Sequence, residues 1–161
     1  MYISSYLKKE GFDVDCLNLN HHPDNKLEET LKDHDYDVVG MGGLYNYITV
    51  YKSMIQSVRK LKPHAKVILG GQIATAHPEF AMSACKPDFL IIGEGELATT
   101  DLLNALENNS ALNEVKGIAY YEKERLIKTG PAEIVEDLDT LPFPDYQGFE
   151  FDHLLDNYPI I

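Results

Sequence analysis

The chain has 161 residues, 44% of them hydrophobic, and a formal net charge of −12. This length and composition predict one domain with a single core, and the acidic balance argues against binding to nucleic acid or to an anionic membrane. No apolar run approaches the eighteen residues of a membrane span, and Cys16 and Cys85 have no motif spacing, so we expect no disulfide and a reducing, cytoplasmic location.

Strand and helix patterns alternate along the first two thirds of the chain. The predicted elements are a helix over 1–9, a strand over 12–19, a helix over 27–32, a buried strand over 36–41, a helix over 49–61, a strand over 66–69, a short helix over 77–83, a strand over 89–92 and a helix over 99–106. This alternation predicts an α/β fold with a parallel, flavodoxin-like (Rossmann-like) sheet and helices on both faces.

The pattern changes after residue 113. Two strand-like runs, 115–121 and 126–129, flank a charged turn and predict a β-hairpin appended to the α/β body. From Pro131 the chain is acidic and extended, and its Leu-Pro-Phe-Pro stretch suits neither a helix nor a central strand. The predicted divisions are therefore 1–113, 114–130 and 131–161, the last being an ordered tail, a linker to another domain, or both.

A doubly wound sheet normally begins with a strand, whereas this sequence begins inside a helix. The strand that should lie between the predicted strands 12–19 and 36–41 is absent from the sequence. We therefore expect an excerpt that lacks the first strand of its domain. We also expect the unpaired strand edges to cause self-association.

Glycines end the apolar runs at three places along the predicted sheet. Gly42-Gly43 follows the strand over 36–41, Gly70-Gly71 follows the next, and Gly93-Glu94-Gly95-Glu96 follows the third. Parallel strands end at one edge of the sheet, and that edge is where open α/β sheets bind ligands. Because glycine allows close approach to the backbone, a large ligand is predicted there. The residues alone do not select this ligand: a flavin is open, and so is a binding or structural module without a cofactor.

A family resemblance follows from the combination of these motifs. The residues that carry it are Tyr6–Val14, Asp37–Gly40, Ile68–Gly71 with Ala74, Thr75, Pro78 and Glu79, Asp88–Glu96, Gly117–Tyr120 and Asp137–Tyr146. Together they resemble the N-terminal cobalamin-binding domain of B12-dependent radical SAM proteins, a group that includes anaerobic magnesium-protoporphyrin monomethyl ester cyclases and many methyltransferases. The resemblance implies cobalamin as the ligand of this domain. It also implies a C-terminal radical SAM domain, outside this sequence, that holds a [4Fe–4S] cluster and S-adenosylmethionine.

Three departures limit what this sequence itself performs. It contains no Asp-x-His-x-x-Gly cobalt-ligand motif, and Gly42-Gly43-Leu44 stands where methionine synthase-type domains have Ser-x-Leu. The Cys-x-x-x-Cys-x-x-Cys cluster motif is absent as well. We therefore predict no catalytic residue and no metal ligand here, and the substrate and reaction belong to the rest of the protein.

The predicted cobalamin-binding residues lie in the three glycine-containing loops. Glycines would admit the nucleotide tail, Thr75 and Tyr45 would offer hydroxyls, and Glu94 and Glu96 would shape the upper face. The full set is Gly42, Gly43, Leu44, Tyr45, Gly70, Gly71, Gln72, Ala74, Thr75, Gly93, Glu94, Gly95 and Glu96. For Gly71→Val, this interpretation predicts loss of binding at a modest cost in stability.

Two further patterns at these loops have weaker interpretations. The run from Gly93 to Ala98 formally matches the dinucleotide motif G-x-G-x-x-A, but glutamates in the first turn of a helix would repel a pyrophosphate. His77 follows the glycines of the second loop, and both a capping role and a ligand contact are open for it.

Overall fold

The computed structural model describes residues 1–19, 22, 23 and 25–152. The chain divides into an α/β unit, Glu28–Ile134, and a terminal unit formed by Met1–Leu27 with Val135–Ile161. The last part of the predicted linker, residues 153–161, lies outside the described residues. In the part that is described, no helix is long and apolar enough to cross a membrane.

The order of elements matches the predicted alternation, with two differences. The helices are α1 (Tyr2–Lys9), α2 (Lys26–Asp33), α3 (Ile48–Leu61), α4 (Gln72–Ala76), α5 (Pro78–Cys85) and α6 (Glu96–Glu107). The strands are β1 (Val38–Gly42), β2 (Lys66–Gly70), β3 (Phe89–Ile91), β4 (Ile118–Glu122) and β5 (Arg125–Lys128). The short helix α4 was not predicted, and the predicted strand over 12–19 does not form.

Residues 12–18 are instead irregular, without strand pairing among the described residues. An alternating pattern gives a segment two faces, but a strand also needs a neighbour that satisfies its backbone groups. Here side chains of this segment bond to the C-terminal part of the same unit. The Cys16 thiol donates to Asp145 over 3.4 Å, and the Asn18 amide donates to the Phe149 carbonyl over 3.2 Å.

The five strands form one mixed sheet in the order β1-β2-β3-β4-β5. The first three are parallel, whereas β4 and β5 are antiparallel to their neighbours. The predicted hairpin is confirmed, and its turn residues Lys123 and Glu124 have the positive φ angles of a tight hairpin turn. The hairpin also extends the sheet, since Phe89 lies opposite Tyr120 and Ile91 opposite Ile118.

Apolar side chains are buried on both faces of this sheet. On one face Ile68, Phe89 and Ile91 pack with Leu102 of α6. Side chains alternate along a strand, so the residues between these point to the opposite face. Leu69 and Leu90 lie there with no exposed surface, and α3 and α5 contribute the buried Tyr51, Ile55, Val58, Ala81 and Met82 outside the α6 cluster. The predicted α/β fold is therefore confirmed.

The strand β1 differs from its neighbours in burial. It was predicted to be buried, but none of its five residues is, and Gly40 and Gly42 are exposed. The reason is its position, because β1 stands at the edge of the sheet with β2 as its one strand neighbour among the described residues.

Candidate functional site

The C-terminal ends of β1, β2 and β3 bring the three glycine-containing loops to one edge of the sheet. Gly42 ends β1 and Gly70 ends β2, and these two residues are paired in the sheet. The first loop continues into a short 3₁₀ turn over Tyr45–Tyr47, the second into α4, and the third into α6. The three segments that hold all the predicted site residues are thus adjacent, as the parallel arrangement requires.

The first two loops interlock through their backbones. The Gly43 N–H donates to the Gly70 carbonyl over 3.4 Å, and the Ile73 N–H donates to the Gly43 carbonyl over 3.5 Å. Gly71 has φ +81° and ψ −164°, and a Cβ there would lie 2.6 Å from the Gly43 nitrogen. This backbone conformation is essentially restricted to glycine. The expectation of only a modest cost in stability for Gly71→Val is therefore wrong, because the fold itself requires a glycine at this position.

The paired glycines Gly42 and Gly70 have more open surroundings. A Cβ on Gly42 would lie 3.7 Å from its nearest neighbour, the Gly70 carbonyl carbon, and a Cβ on Gly70 would lie 3.7 Å from the Ile91 Cβ. Both are ordinary van der Waals distances, and neither residue has a positive φ. Packing within the chain therefore does not explain the absence of side chains at these two positions.

The second loop continues into α4, the short helix that was not predicted. Gln72 and Thr75 are exposed on this helix, whereas Ala74 is fully buried. The Thr75 hydroxyl oxygen accepts the Gly93 N–H over 3.0 Å and so connects the second loop to the third. Gln72 and Thr75 thus present polar groups at this edge, and the Ala74 side chain packs inside the protein.

The third loop turns sharply into α6. Gly93 has φ +92° and is exposed together with Glu94, while Gly95 is buried and Glu96 begins the helix. Acidic groups at the N-terminus of a helix interact favourably with its dipole. Glu94 and Glu96 therefore stabilise the start of α6 by their charge. They also make the third loop acidic, whereas the first two loops are apolar or neutral.

An aromatic cluster of Tyr45, His77 and Phe80 lies beside the first two loops. The rings of Tyr45 and Phe80 stack with their centroids 5.7 Å apart, and the His77 ring meets Tyr45 edge-on at 5.6 Å. Tyr45 and Phe80 are 48% and 42% exposed, so the cluster leaves apolar ring surface open to solvent. Sequence reasoning missed Phe80; its position in the first turn of the helix after the glycine loop is the signal that would have found it.

Further apolar side chains are exposed along the first loop and the start of α3. Leu44, Tyr47 and Val50 are each about half exposed. Tyr47 and Val50 are three residues apart and therefore share one side of the chain as it enters the helix. Together with Tyr45 of the aromatic cluster, they give the segment that follows Gly42 and Gly43 several exposed apolar side chains, as expected of a site that binds a large, partly apolar ligand.

The fold and this edge define an α/β ligand-binding domain, and comparisons with known proteins identify its family. The family model described as "B12 binding domain" matches residues 1–103. The chain therefore belongs to the B12-binding domain family, and the resemblance inferred from its motifs is confirmed.

Two curated relatives have names that agree with this assignment. The chain is 30% identical, over 142 residues, to the anaerobic magnesium-protoporphyrin IX monomethyl ester cyclase of Synechocystis. This match covers 85% of the chain and 28% of the cyclase. It is also 28% identical, over 131 residues, to an uncharacterized methyltransferase of Pyrococcus horikoshii, and this match covers 78% of the chain and 28% of that protein. The chain thus spans little more than a quarter of the length of these relatives.

Solved structures show the same fold at lower identity. The cobalamin-dependent S-adenosylmethionine radical enzyme OxsB, solved with aqua-cobalamin and S-adenosylmethionine bound, matches with a TM-score of 0.81 at 22% identity, over 94% of this chain and 22% of OxsB. The radical S-adenosylmethionine methyltransferase TsrM of Kitasatospora setae, solved with cobalamin and a [4Fe–4S] cluster bound, matches with a TM-score of 0.73 at 18% identity, over 91% of this chain and 28% of TsrM.

Proposed function

We propose that this domain binds cobalamin at the C-terminal edge of β1, β2 and β3, and that it serves a radical SAM methyltransferase or cyclase. The observation that carries the proposal is the pair of open glycines at this edge in a member of the B12-binding family. Gly42 and Gly70 lie side by side, and packing inside the protein does not require either to be glycine.

The surroundings of these glycines suit the chemistry of a corrinoid. A corrin ring is broad and apolar across its faces and carries amides at its rim, and its nucleotide tail adds a phosphate. Leu44 and Tyr45 offer exposed apolar surface to such a ring, while Gln72, Thr75 and Glu94 offer polar groups to its amides. The backbone at Gly42 and Gly70 leaves room for the tail. Cobalamin bound there would supply a cobalt centre able to carry a methyl group.

The chain's own residues then act by binding and orienting the cofactor. The interlocked first and second loops hold the open glycines in place, and the bond from the Gly93 N–H to Thr75 fixes the third loop against the second. No residue of this chain is assigned a catalytic step or a metal ligand in this proposal. The reaction would take place with a radical SAM domain of the same protein, which would hold the [4Fe–4S] cluster and S-adenosylmethionine. We place the protein in the reducing cytoplasm, consistent with free thiols at Cys16 and Cys85.

Equilibrium dialysis with hydroxocobalamin tests the proposal, with two valine variants of the same strand. A valine at Gly42 would project a branched side chain at the exposed end of β1 and obstruct the bound corrinoid. We expect Gly42→Val to weaken retention at least about tenfold, the effect of losing a few apolar contacts or of a steric clash. Gly40→Val is the matched control. Gly40 lies two residues, about 6.6 Å, before the C-terminal end of β1, and no atom lies within 4 Å of its Cβ position.

Two results would contradict this site. Equal loss of binding in the two variants would indicate a general effect on β1 rather than obstruction at the edge. Retention of flavin mononucleotide but not of hydroxocobalamin by the wild type would favour the flavin module that the residues alone left open.

A further inference from the structure

Tyr51 occupies the space beneath the first loop of the candidate site. It lies in the first turns of α3 and is only 7% exposed. A Cβ built on Gly43 would lie 1.5 Å from the Tyr51 Oη and 2.5 Å from its Cζ. The phenol group therefore fills the position that a side chain at residue 43 would take, and the glycine and the tyrosine determine each other.

The phenol also bonds to the loop above it. The Leu44 backbone N–H donates to the Tyr51 oxygen, which lowers the pKa of the phenol, but burial raises that pKa more strongly. Tyr51 consequently remains a neutral hydroxyl at physiological pH. Its effect on the loop is one of contact and hydrogen bonding, and Leu44 is a half-exposed residue of the proposed cobalamin site.

Gly43 is enclosed on its other side by the second loop. The position of a Cβ on Gly71 lies 2.6 Å from the Gly43 nitrogen and 2.8 Å from its oxygen. The order of contact is thus Tyr51, then Gly43, then Gly71, from the buried face of α3 to the edge of the sheet. Gly43 thus lies between the Tyr51 hydroxyl and the second loop, with no room for a side chain at residue 43.

We propose that Tyr51 is a positioning residue for the cobalamin site, an inference that rests on the proposed function. It touches no ligand itself. It holds Gly43 and Leu44 in their bound-like arrangement before the cofactor arrives, so that binding loses less free energy to ordering of the loop. No sequence motif indicates this role, because Tyr51 has the spacing of an ordinary apolar position in an amphipathic helix.

The first test removes only the hydroxyl. In Tyr51→Phe we expect the dissociation constant for hydroxocobalamin to rise about threefold to tenfold, the equivalent of one hydrogen bond. Tyr120→Phe is the matched control, since Tyr120 is an equally buried tyrosine (8% exposed) on β4, in the cluster beneath α6. It should leave the dissociation constant unchanged. Equal effects of the two substitutions would overturn the proposal.

A second readout needs no cofactor. Hydrogen exchange of the Leu44 amide in the apo protein should be slow in the wild type and faster by a similar factor in Tyr51→Phe, with Tyr120→Phe like the wild type. Unchanged exchange at Leu44 would refute the positioning role. If exchange changes as expected but the wild type binds no hydroxocobalamin, the proposed function is contradicted, whereas the ordering of the first loop by Tyr51 is supported.

A double-substitution cycle tests the direct contact. Gly43→Ala should strongly destabilise the wild-type protein because its methyl group would overlap the phenol. In a Tyr51→Leu background, which removes the Oη and Cζ atoms, the same alanine should cost much less, giving a favourable coupling between the two sites in urea unfolding. Additive effects would mean that the two residues do not determine each other.

Discussion

Each of the two units of this protein is stabilised internally by a different kind of interaction. Nearly all buried apolar side chains belong to the α/β unit; among the described residues of the terminal unit, Leu7 is the one buried hydrophobic residue. The terminal unit relies instead on polar bonds at Asp145, which accepts from Lys8 over 2.7 Å, from Cys16 over 3.4 Å and from the Gly148 N–H over 3.0 Å. Shape complementarity should therefore determine the stability of the first unit, and charge that of the second.

The largest expected effect is a steric one, in the α/β unit. Gly71→Val should reduce the free energy of unfolding by about 2–5 kcal/mol, combining the strain of a non-glycine residue at this φ and ψ with overpacking against Gly43. Urea unfolding followed by circular dichroism measures it. Gly70→Ala is the control, expected to change stability by no more than about 1 kcal/mol, since its Cβ would meet Ile91 at an ordinary distance. If Gly71→Val were as stable as Gly70→Ala, steric fit at this position would not determine the stability of the α/β unit.

Acid should weaken the terminal unit through Asp145. The hydrogen bond from Lys8 lowers the pKa of this carboxyl to about 2 from its ordinary value of 3.8. Because the folded-state pKa is the lower one, the contribution is complete above about pH 5 and is lost as the pH falls through 4 toward 2. The shift corresponds to about 2 kcal/mol at most, and nearer 1 kcal/mol because the Lys8 side chain is 42% exposed.

Comparison of Asp145→Asn with the wild type measures this contribution. Their thermal stabilities should differ at pH 6 and converge at about pH 2. Asp139→Asn, at an exposed position of the same C-terminal segment, should match the wild type at both pH values. A constant difference between Asp145→Asn and the wild type at all pH values would show that the carboxyl acts through packing rather than charge.

The smallest expected effect concerns the exposed edge of β1. No described residue bonds to the backbone of β1 on the side away from β2, and an uncharged edge of this kind favours pairing between chains. Light scattering coupled to size exclusion should show weak self-association. Because the net charge is −12, higher salt should strengthen the association by screening repulsion.

Gly40 allows a specific test of the edge. Gly40→Lys should suppress the association, because a lysine on an edge strand opposes pairing, and Gly40→Ala should not. A monomer under all salt conditions would contradict the expectation of an open edge, and equal behaviour of the two variants would place the contact elsewhere on the surface.

The sequence by itself determined the elements whose signals are local. Apolar runs at β2 and β3, helical spacing through α3, and two strands around a charged turn predicted elements close to those observed. The glycines after successive strands placed the candidate site at one edge, because parallel strands must end together. The combined motifs identified the family for the same reason, since each is a contiguous stretch of a few residues.

Only the tertiary structure decided features that depend on residues far apart in the chain. Residues 12–18 have a strand-like pattern yet form no strand, because pairing requires a neighbouring backbone that no local pattern supplies. The adjacent glycines Gly70 and Gly71 look alike in sequence, but a Cβ on Gly70 would lie at an ordinary distance from Ile91, whereas one on Gly71 would overlap Gly43, 28 positions earlier. Likewise Tyr51 and Phe80 acquire their places at the candidate site from contacts with the first loop, because burial and close approach are set by which segments meet in space.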